Sequence, residues 1–340
     1  MKARLRCRLL LLVALTYASA ARANEPAKLR VATMAPEGSG WARAMHAFSE
    51  ELATETAGAV QLHWYLGGMA GDEMTTIDRL KRGQLDGAAL SQGCEKLAPS
   101  LRVLRVPGLT RSRDEVHFIL GQLAPRVEKE LRKNGLTGLA LGEFGPILLF
   151  SRTPIRTFAE LAPLKVWVWD RDDVWVQLLR SMGMTPVPLP VDQAGRAFDE
   201  HRIDGFTAVP AAALVFQWST QARWFTDLSM GMLPACFVMS ESAVDALPFE
   251  QQNTLRTTSA RFGERFESEA ARLDSALIGG LLERQGGHRV ASDEALRETF
   301  YSAARQARDD GDAQGMVEPE LLRKVLGWLA DYRAEHYPTR

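Results

Sequence analysis

LRVATMAPEGSGWARAMHAFSEELATETAGAVQLHWYLGGMAGDEMTTIDRLKRGQLDGAAL, residues 29–90, is the stretch whose reading decides the fold class. Leu29-Arg30-Val31-Ala32-Thr33 reads as a short strand and is followed by a Gly-Ser-Gly turn at 38–40. Trp41, Met45, Phe48 and Leu52 then recur at helical spacing and give one apolar face. Val60, Leu62 and Trp64 alternate with Gln61, His63 and Tyr65, the period of a half-buried strand. A second helix carries Met74, Ile77 and Leu80 into the short strand Gly87 to Leu90. Strand-helix-strand-helix-strand order at these spacings predicts a parallel sheet wound by helices.

Working outward, Val116, Ile119, Leu120, Leu123, Val127 and Leu131 mark a longer helix. A second unit of the same design begins near residue 150. It holds a strand from Leu164 to Trp169, a helix from Val174 to Met182 and an extended Pro186-Val187-Pro188-Leu189-Pro190, where the prolines exclude helix. Asp192 is expected to cap a helix ending near His201, Asp204 to Ala208 to form a strand, and Cys236 to Met239 the last strand. From Phe249 an unbroken helical pattern runs to roughly Glu283, long enough to brace both units. Helices around 292–310 and 318–335 finish the chain. Short connections predict two domains joined by crossing strands: 24–149 with about 232–275, and 150–231 with about 276–340.

Of 340 residues, 46% are hydrophobic and 24% charged, the profile of an ordinary globular protein. Met1 to Arg8 is a basic segment, Leu9 to Leu15 a short apolar run, and Ala21-Arg22-Ala23 places small residues before Asn24. Residues 1–23 therefore read as a secretory signal peptide, with a second cut after Ala20 also well formed. The apolar run is well short of the ~20 residues that span a bilayer. Cys7 precedes that run, so it is no lipid-attachment cysteine. The formal charge is -1, and removing the five basic residues of the leader leaves 36 basic against 42 acidic, a charge of -6. Such acidity argues against nucleic acid, whose phosphates call for clustered Lys and Arg. The mature chain keeps Cys94 and Cys236, which read either as a disulfide or as two buried thiols.

Catalytic signatures are absent: the six histidines are scattered, and no HExxH, GxSxG, GxGxxG or P-loop occurs. The expectation is no enzyme and no cofactor. Gly67-Gly68-Met69-Ala70-Gly71 reads as an anion cradle or as a plain strand-to-helix turn. Asp170 to Asp173 reads as a cation site or as a solvated helix start. Trp167 and Trp169 share one face of a strand, and Trp175, Phe206, Phe216, Trp218 and Trp224 come from the same half. These aromatics build either a core or the wall of a ligand cleft.

Several segments, taken together and in order, resemble the DctP-type solute-binding proteins of TRAP transporters. They are Leu66 to Glu73 with Leu80 to Gly87, Arg156 to Leu161 with Leu164 to Val168, Met182 to Pro190, and Arg202-Ile203-Asp204-Gly205. The resemblance spans about 28–280. It implies a two-domain α/β periplasmic binding protein fold with a long bracing helix and a helical C-terminal tail. Ligand would bind between the domains, and the closed form would dock on TRAP-type membrane permease subunits. It further implies a periplasmic, monomeric receptor for a small molecule. An alternative is a sensor or carrier of lipid-like cargo working with a periplasmic partner protein, or a conventional organic-acid receptor.

Departures from the family pattern shape the expected ligand. Where most members carry an arginine that grips a carboxylate, this chain has Trp167. A second basic position falls in the apolar Ile147-Leu148-Leu149, and a polar one is Val209, ahead of Pro210. An anion buried without a partner costs several kcal/mol, so an apolar or weakly polar ligand is expected. The candidate site residues are Trp167, Val209, Pro210, Glu73, Met34, Gln92, Phe144 and Trp169. A charged ligand head would be a cation, drawn to Glu37, Glu73 or Glu143 and to the tryptophan faces.

Overall fold

Leu29 and Val31 of β1 (Ala27–Thr33) are buried beneath the helix Gly40–Glu55, which turns Ala42, Met45, Phe48 and Leu52 onto them. Ser39 starts that helix by accepting the Ala42 N–H, one of the donors a helix N-terminus leaves unsatisfied. The computed structural model describes residues 25–309 and 317–336. The expected signal peptide, with Cys7, lies outside the described residues.

β1 pairs in parallel with β2 (Val60–Tyr65) and β3 (Gly87–Leu90). The five-stranded sheet, in order β2-β1-β3-β10-β4, is completed by β10 (Met232–Ser240) and β4 (Leu136–Pro146). β10 runs antiparallel to both β3 and β4, so the expected parallel sheet is parallel only across β2-β1-β3. The six-stranded sheet has the order β11-β9-β5-β8-β6-β7. Its strands are β5 (Leu148–Ser151), β6 (Lys165–Trp169), β7 (Thr185–Leu189), β8 (Gly205–Ala208), β9 (Trp224–Thr226) and β11 (His288–Val290). Cys236 to Met239 is therefore not the last strand. β11 has three residues, two of them exposed, and carries no alternation to read.

Short strand-to-strand connections cross between the sheets at two points, and a helical segment carries the chain across a third time, from β10 to β11. β4 passes into β5 through Ile147 alone, and residues 227–231 return from β9 to β10. The two short crossings bond to each other: Ile147 N–H donates to the Gly231 carbonyl at 2.8 Å, and Met230 N–H to the Ile147 carbonyl at 2.8 Å. Gly231 sits at φ +147°, and a Cβ there would fall 2.7 Å from the Arg105 carbonyl oxygen, so only glycine fits.

The long helix Phe249–Ala276 packs on β4 and on the helix Gly40–Glu55, and reaches the helix Pro210–Val215 beside the second sheet. It does not continue unbroken to Glu283. A wide turn, Leu277–Leu281, contains Gly279 and Gly280 in non-helical conformations, with Gly280 at φ +118°. Asp192 does not cap its helix either. Val191–Asp199 starts after Pro190, whose fixed φ suits a helix entry without a side-chain bond. The helix Glu294–Asp309 packs against helices of the second sheet, whereas Pro319–His336 lies on Arg113–Arg132, tied by Arg333 to Glu115 at 2.8 Å. Cys94 and Cys236 are bonded, with Cα atoms 5.9 Å apart. The bond fastens the helix Gln92–Leu97 to β10.

Candidate functional site

Strands that run in parallel leave their C-terminal ends along one edge of a sheet, and crevices form there. Both sheets turn such an edge toward the same space, a cleft of about 810 Å³. The first sheet contributes Met34 after β1, the turn Gly67–Gly71 after β2, then Asp72 and Thr75. The second contributes Trp169, Asp170 and Arg171 at the end of β6, Pro190 to Asp192 at the end of β7, and Phe216 and Trp218.

The glycine turn is built to bend, with Gly67, Gly68 and Gly71 at positive φ. Four of its five N–H groups are already engaged: Gly67 with the Ala35 carbonyl, Gly68 with Thr33, Met69 with Leu66, and Gly71 with Gly68. A cradle for an anion needs those donors unoccupied, so the segment is a strand-to-helix turn. Asp72 then caps the helix Glu73–Lys81 by accepting the Thr75 N–H at 2.7 Å. A Cβ on Gly71 would meet Thr75 at 2.5 Å, so this turn and cap come as a unit.

Aromatic packing shapes the opposite wall. Trp218 is stacked between Phe206, at 5.0 Å, and Phe216, at 5.2 Å. Trp169 lines the cleft directly. Trp167 lies one layer behind, 6% exposed, its ring 4.8 Å from Trp218 and its Nε1–H donating to the Leu189 carbonyl at 2.9 Å. The pair thus divides between the two readings, Trp169 at the wall and Trp167 in the core. Trp224 lies tilted against His288 and takes no part. Among the described residues one basic side chain lines the cleft: Arg171, between Asp72 at 4.0 Å and Asp170 at 3.8 Å.

The other expected site residues scatter. Val209 is buried, and with Pro210 it opens the helix Pro210–Val215. Glu73 is buried and accepts from the Ser91 N–H, the Ser91 hydroxyl and the Gly93 N–H at 2.6–2.9 Å, holding the turn after β3. Burial nonetheless pushes its carboxyl up, against those hydrogen bonds. Phe144 packs edge-on against Trp41 and Phe266. Glu143 is fully buried and paired with Arg113, and Glu37 is exposed beside His46. Gln92 donates to Asp172 at 3.1 Å. Of the eight, Met34 and Trp169 meet at the cleft.

Sequence reasoning singled out Glu143 and the acidic run at 170–173 but missed the arginines that pair with them between the sheets. Arg105, at the end of the 3₁₀ turn Pro99–Arg105, is 2% exposed and pairs with Glu95 and Asp172. Asp172 caps the helix Asp173–Ser181, so the acidic run at 170–173 is a helix start whose cap also reaches across the molecule. Arg113 joins Glu143 to Asp274 of the long helix. No spacing rule exposes such pairs, because each partner comes from a different element.

The chain matches the family described as DctP, bacterial extracellular solute-binding protein, family 7, over residues 31–311. A solute-binding protein of Chromohalobacter salexigens is 24% identical over 218 residues, 63% of this chain and 64% of that relative. The chain thus spans a little under two thirds of that relative's length. Among solved structures, a TRAP periplasmic solute-binding protein of Xanthobacter autotrophicus Py2 with bound β-D-galacturonate superposes with a TM-score of 0.78 at 22% identity, covering 88% of this chain and 99% of that one. One from Ralstonia eutropha H16 with bound (S)-2-acetolactate gives 0.82 at 16% identity, with coverage of 90% and 100%.

Proposed function

The chain belongs to the DctP family of bacterial extracellular solute-binding proteins, and from that premise we propose that it is the periplasmic receptor of a TRAP-type transport system. Its solute is small and apolar or weakly polar, bound in the cleft between two domains and passed on to a membrane permease. The domains are 24–149 with about 232–275 and the C-terminal helix Pro319–His336, which packs on Arg113–Arg132 and not on the second unit as expected, and 150–231 with about 276–309, behind a leader cleaved after Ala23. The work is binding and release, with no bond made or broken.

One observation carries the choice of solute. The cleft wall combines Trp169, Phe216, Trp218 and Met34 with three carboxylates, Asp72, Asp170 and Asp192, and a single basic group, Arg171, that already faces two of them. An acid entering there meets no unopposed cation, whereas an apolar body gains about 25 cal/mol for each Å² withdrawn from water. A solute touching both walls does so only when they are close. Binding therefore favours the closed form by that differential affinity.

Native mass spectrometry of protein purified from cells, followed by organic extraction, tests this reading. A co-purifying apolar molecule whose affinity drops at least tenfold in Trp169→Ala is the expected result, since truncating a buried tryptophan contact costs about 2 kcal/mol or more. Recovery of a small organic acid, as in the two related crystal structures, would overturn the solute class and leave the receptor role standing.

A further inference from the structure

The ion pair between Arg105 and Asp172 joins the two halves of the molecule out of contact with water. Arg105 Nη2 donates to Asp172 Oδ2 at 2.7 Å, and the two side chains are 2% and 5% exposed. Arg105, Glu95 and Gln92 all belong to the segment after β3 of the first sheet. Asp172 belongs to the turn after β6 of the second.

The surroundings of the Asp172 carboxylate are those of a bound acid. Oδ2 accepts from the guanidinium and, at 3.1 Å, from the Gln92 amide. Oδ1 accepts the Trp175 N–H at the start of a nine-residue helix, at 3.1 Å. The Trp175 ring lies 4.7 Å from the Arg105 guanidinium carbon and backs the cation with its π face. A guanidinium, an amide and a helix N-terminus converging on one carboxylate form a general recognition set for small acids. Glu95, 3.3 Å from Nη1, is the second carboxylate on the same arginine. The positive charge is thus fully met from within the chain. Arg105 Nε and Gln92 Oε1 are buried and make no hydrogen bond within the chain, so the contacts to Asp172 run through Arg105 Nη2 and Gln92 Nε2.

We propose that Asp172 is an internal ligand: a carboxylate carried by one half of the molecule that fills an acid site on the other, holding the halves together without solute and denying Arg105 to acids from outside. The inference rests on the reading that the two halves open and close around the cleft. Closure is then biased before any solute arrives, and a solute has only to strengthen a contact the chain already makes.

Chemical rescue tests it. Spin labels on cysteines introduced at the exposed positions Ala47 and Gln193 report the distance between the halves, the native cysteines being bonded to each other. The expected results are a single short distance for the solute-free chain, a longer or broader one for Asp172→Ala, and return of the short distance when acetate or formate is added to that variant. Acetate at ten times its Kd should also raise the melting temperature of Asp172→Ala by roughly 3 °C and leave the unsubstituted chain unmoved. Asp172→Asn, which keeps the cap but not the charge, should open without responding to acetate, and it carries the distance measurement where the alanine variant does not fold. A folded variant that keeps the short distance, or an opened Asp172→Ala indifferent to acetate and formate, overturns the proposal. Neither readout involves the transported solute. Failure of the receptor reading would show instead as a chain that binds nothing while the rescue still works.

Discussion

Trp167 stands where the family resemblance directs attention to a ligand-gripping arginine, yet its indole is enclosed and its one donor is engaged with Leu189. Trp167→Arg should therefore destabilise the protein by about 3–5 kcal/mol, a buried ring lost and a charge left unpaired, and it should confer no binding of acids. Denaturant unfolding and calorimetry with small carboxylates check both parts. Asp274 offers a second residue-level prediction. Burial, outweighing the attraction of Arg113, raises its carboxyl to about 7, and burial does the same to Glu95. A folded-state value above the unfolded one means stability that is fully present below about pH 4 and lost as pH rises toward 7. Asp86, Asp227 and Glu115 are held below their usual range by arginine and backbone partners acting against burial, so they work in the opposite sense at lower pH. Asp274→Asn should flatten the decline between pH 5 and 7.5 by on the order of 1–3 kcal/mol, measured by urea unfolding at the two pH values. At this scale the sequence was least legible. Met34 and Trp169 reached the cleft by motif position, whereas Arg105 and Asp172 are neighbours only because two separate turns meet.

Elements were more readable, because periodicity is local. The helices at 40–55, 73–81 and 113–132 and the strand β2 follow from apolar spacing, and β1 and β3 from the strand-helix order around them. The misses have local physical reasons too. Gly279 and Gly280 interrupt a helix whose apolar face continues past them, so the pattern hides the break. Gly280 sits at φ +118°, while Gly279 keeps a negative φ and has open space around it. Gly280→Ala should cost about 1–3 kcal/mol through backbone strain, and Gly279→Ala should be close to neutral. Thermal melts of the two variants side by side make the comparison. The disulfide belongs to this scale as well, since it bolts one helix to one strand. Replacing Cys94 and Cys236 together by serine should lower stability by about 2–5 kcal/mol, the range for closing so long a loop, and reductant should reproduce the loss in the unsubstituted chain.

For the whole molecule, the two-unit plan was legible because both units repeat the same strand and helix alternation. How the sheets close was not. β10 enters the first sheet antiparallel between β3 and β4, and nothing in its sequence names those partners. That insertion has a consequence for the order in which the molecule comes into being. Synthesis delivers β3 and β4 long before β10, with 142 residues separating the two cysteines that mark the junction. Until β10 arrives the edge of β3, and that of β4 once it is made, stay bare, unpaired N–H and C=O rows of the kind that recruit other chains. The second sheet obtains β5 to β9 in one continuous run and lacks only the short edge strand β11. The unit begun first is therefore finished later than the body of the unit begun second. A nascent chain released before residue 240 would carry an incomplete sheet beside a nearly complete one, and aggregation of such fragments through β3 and β4 is the hazard built into this topology.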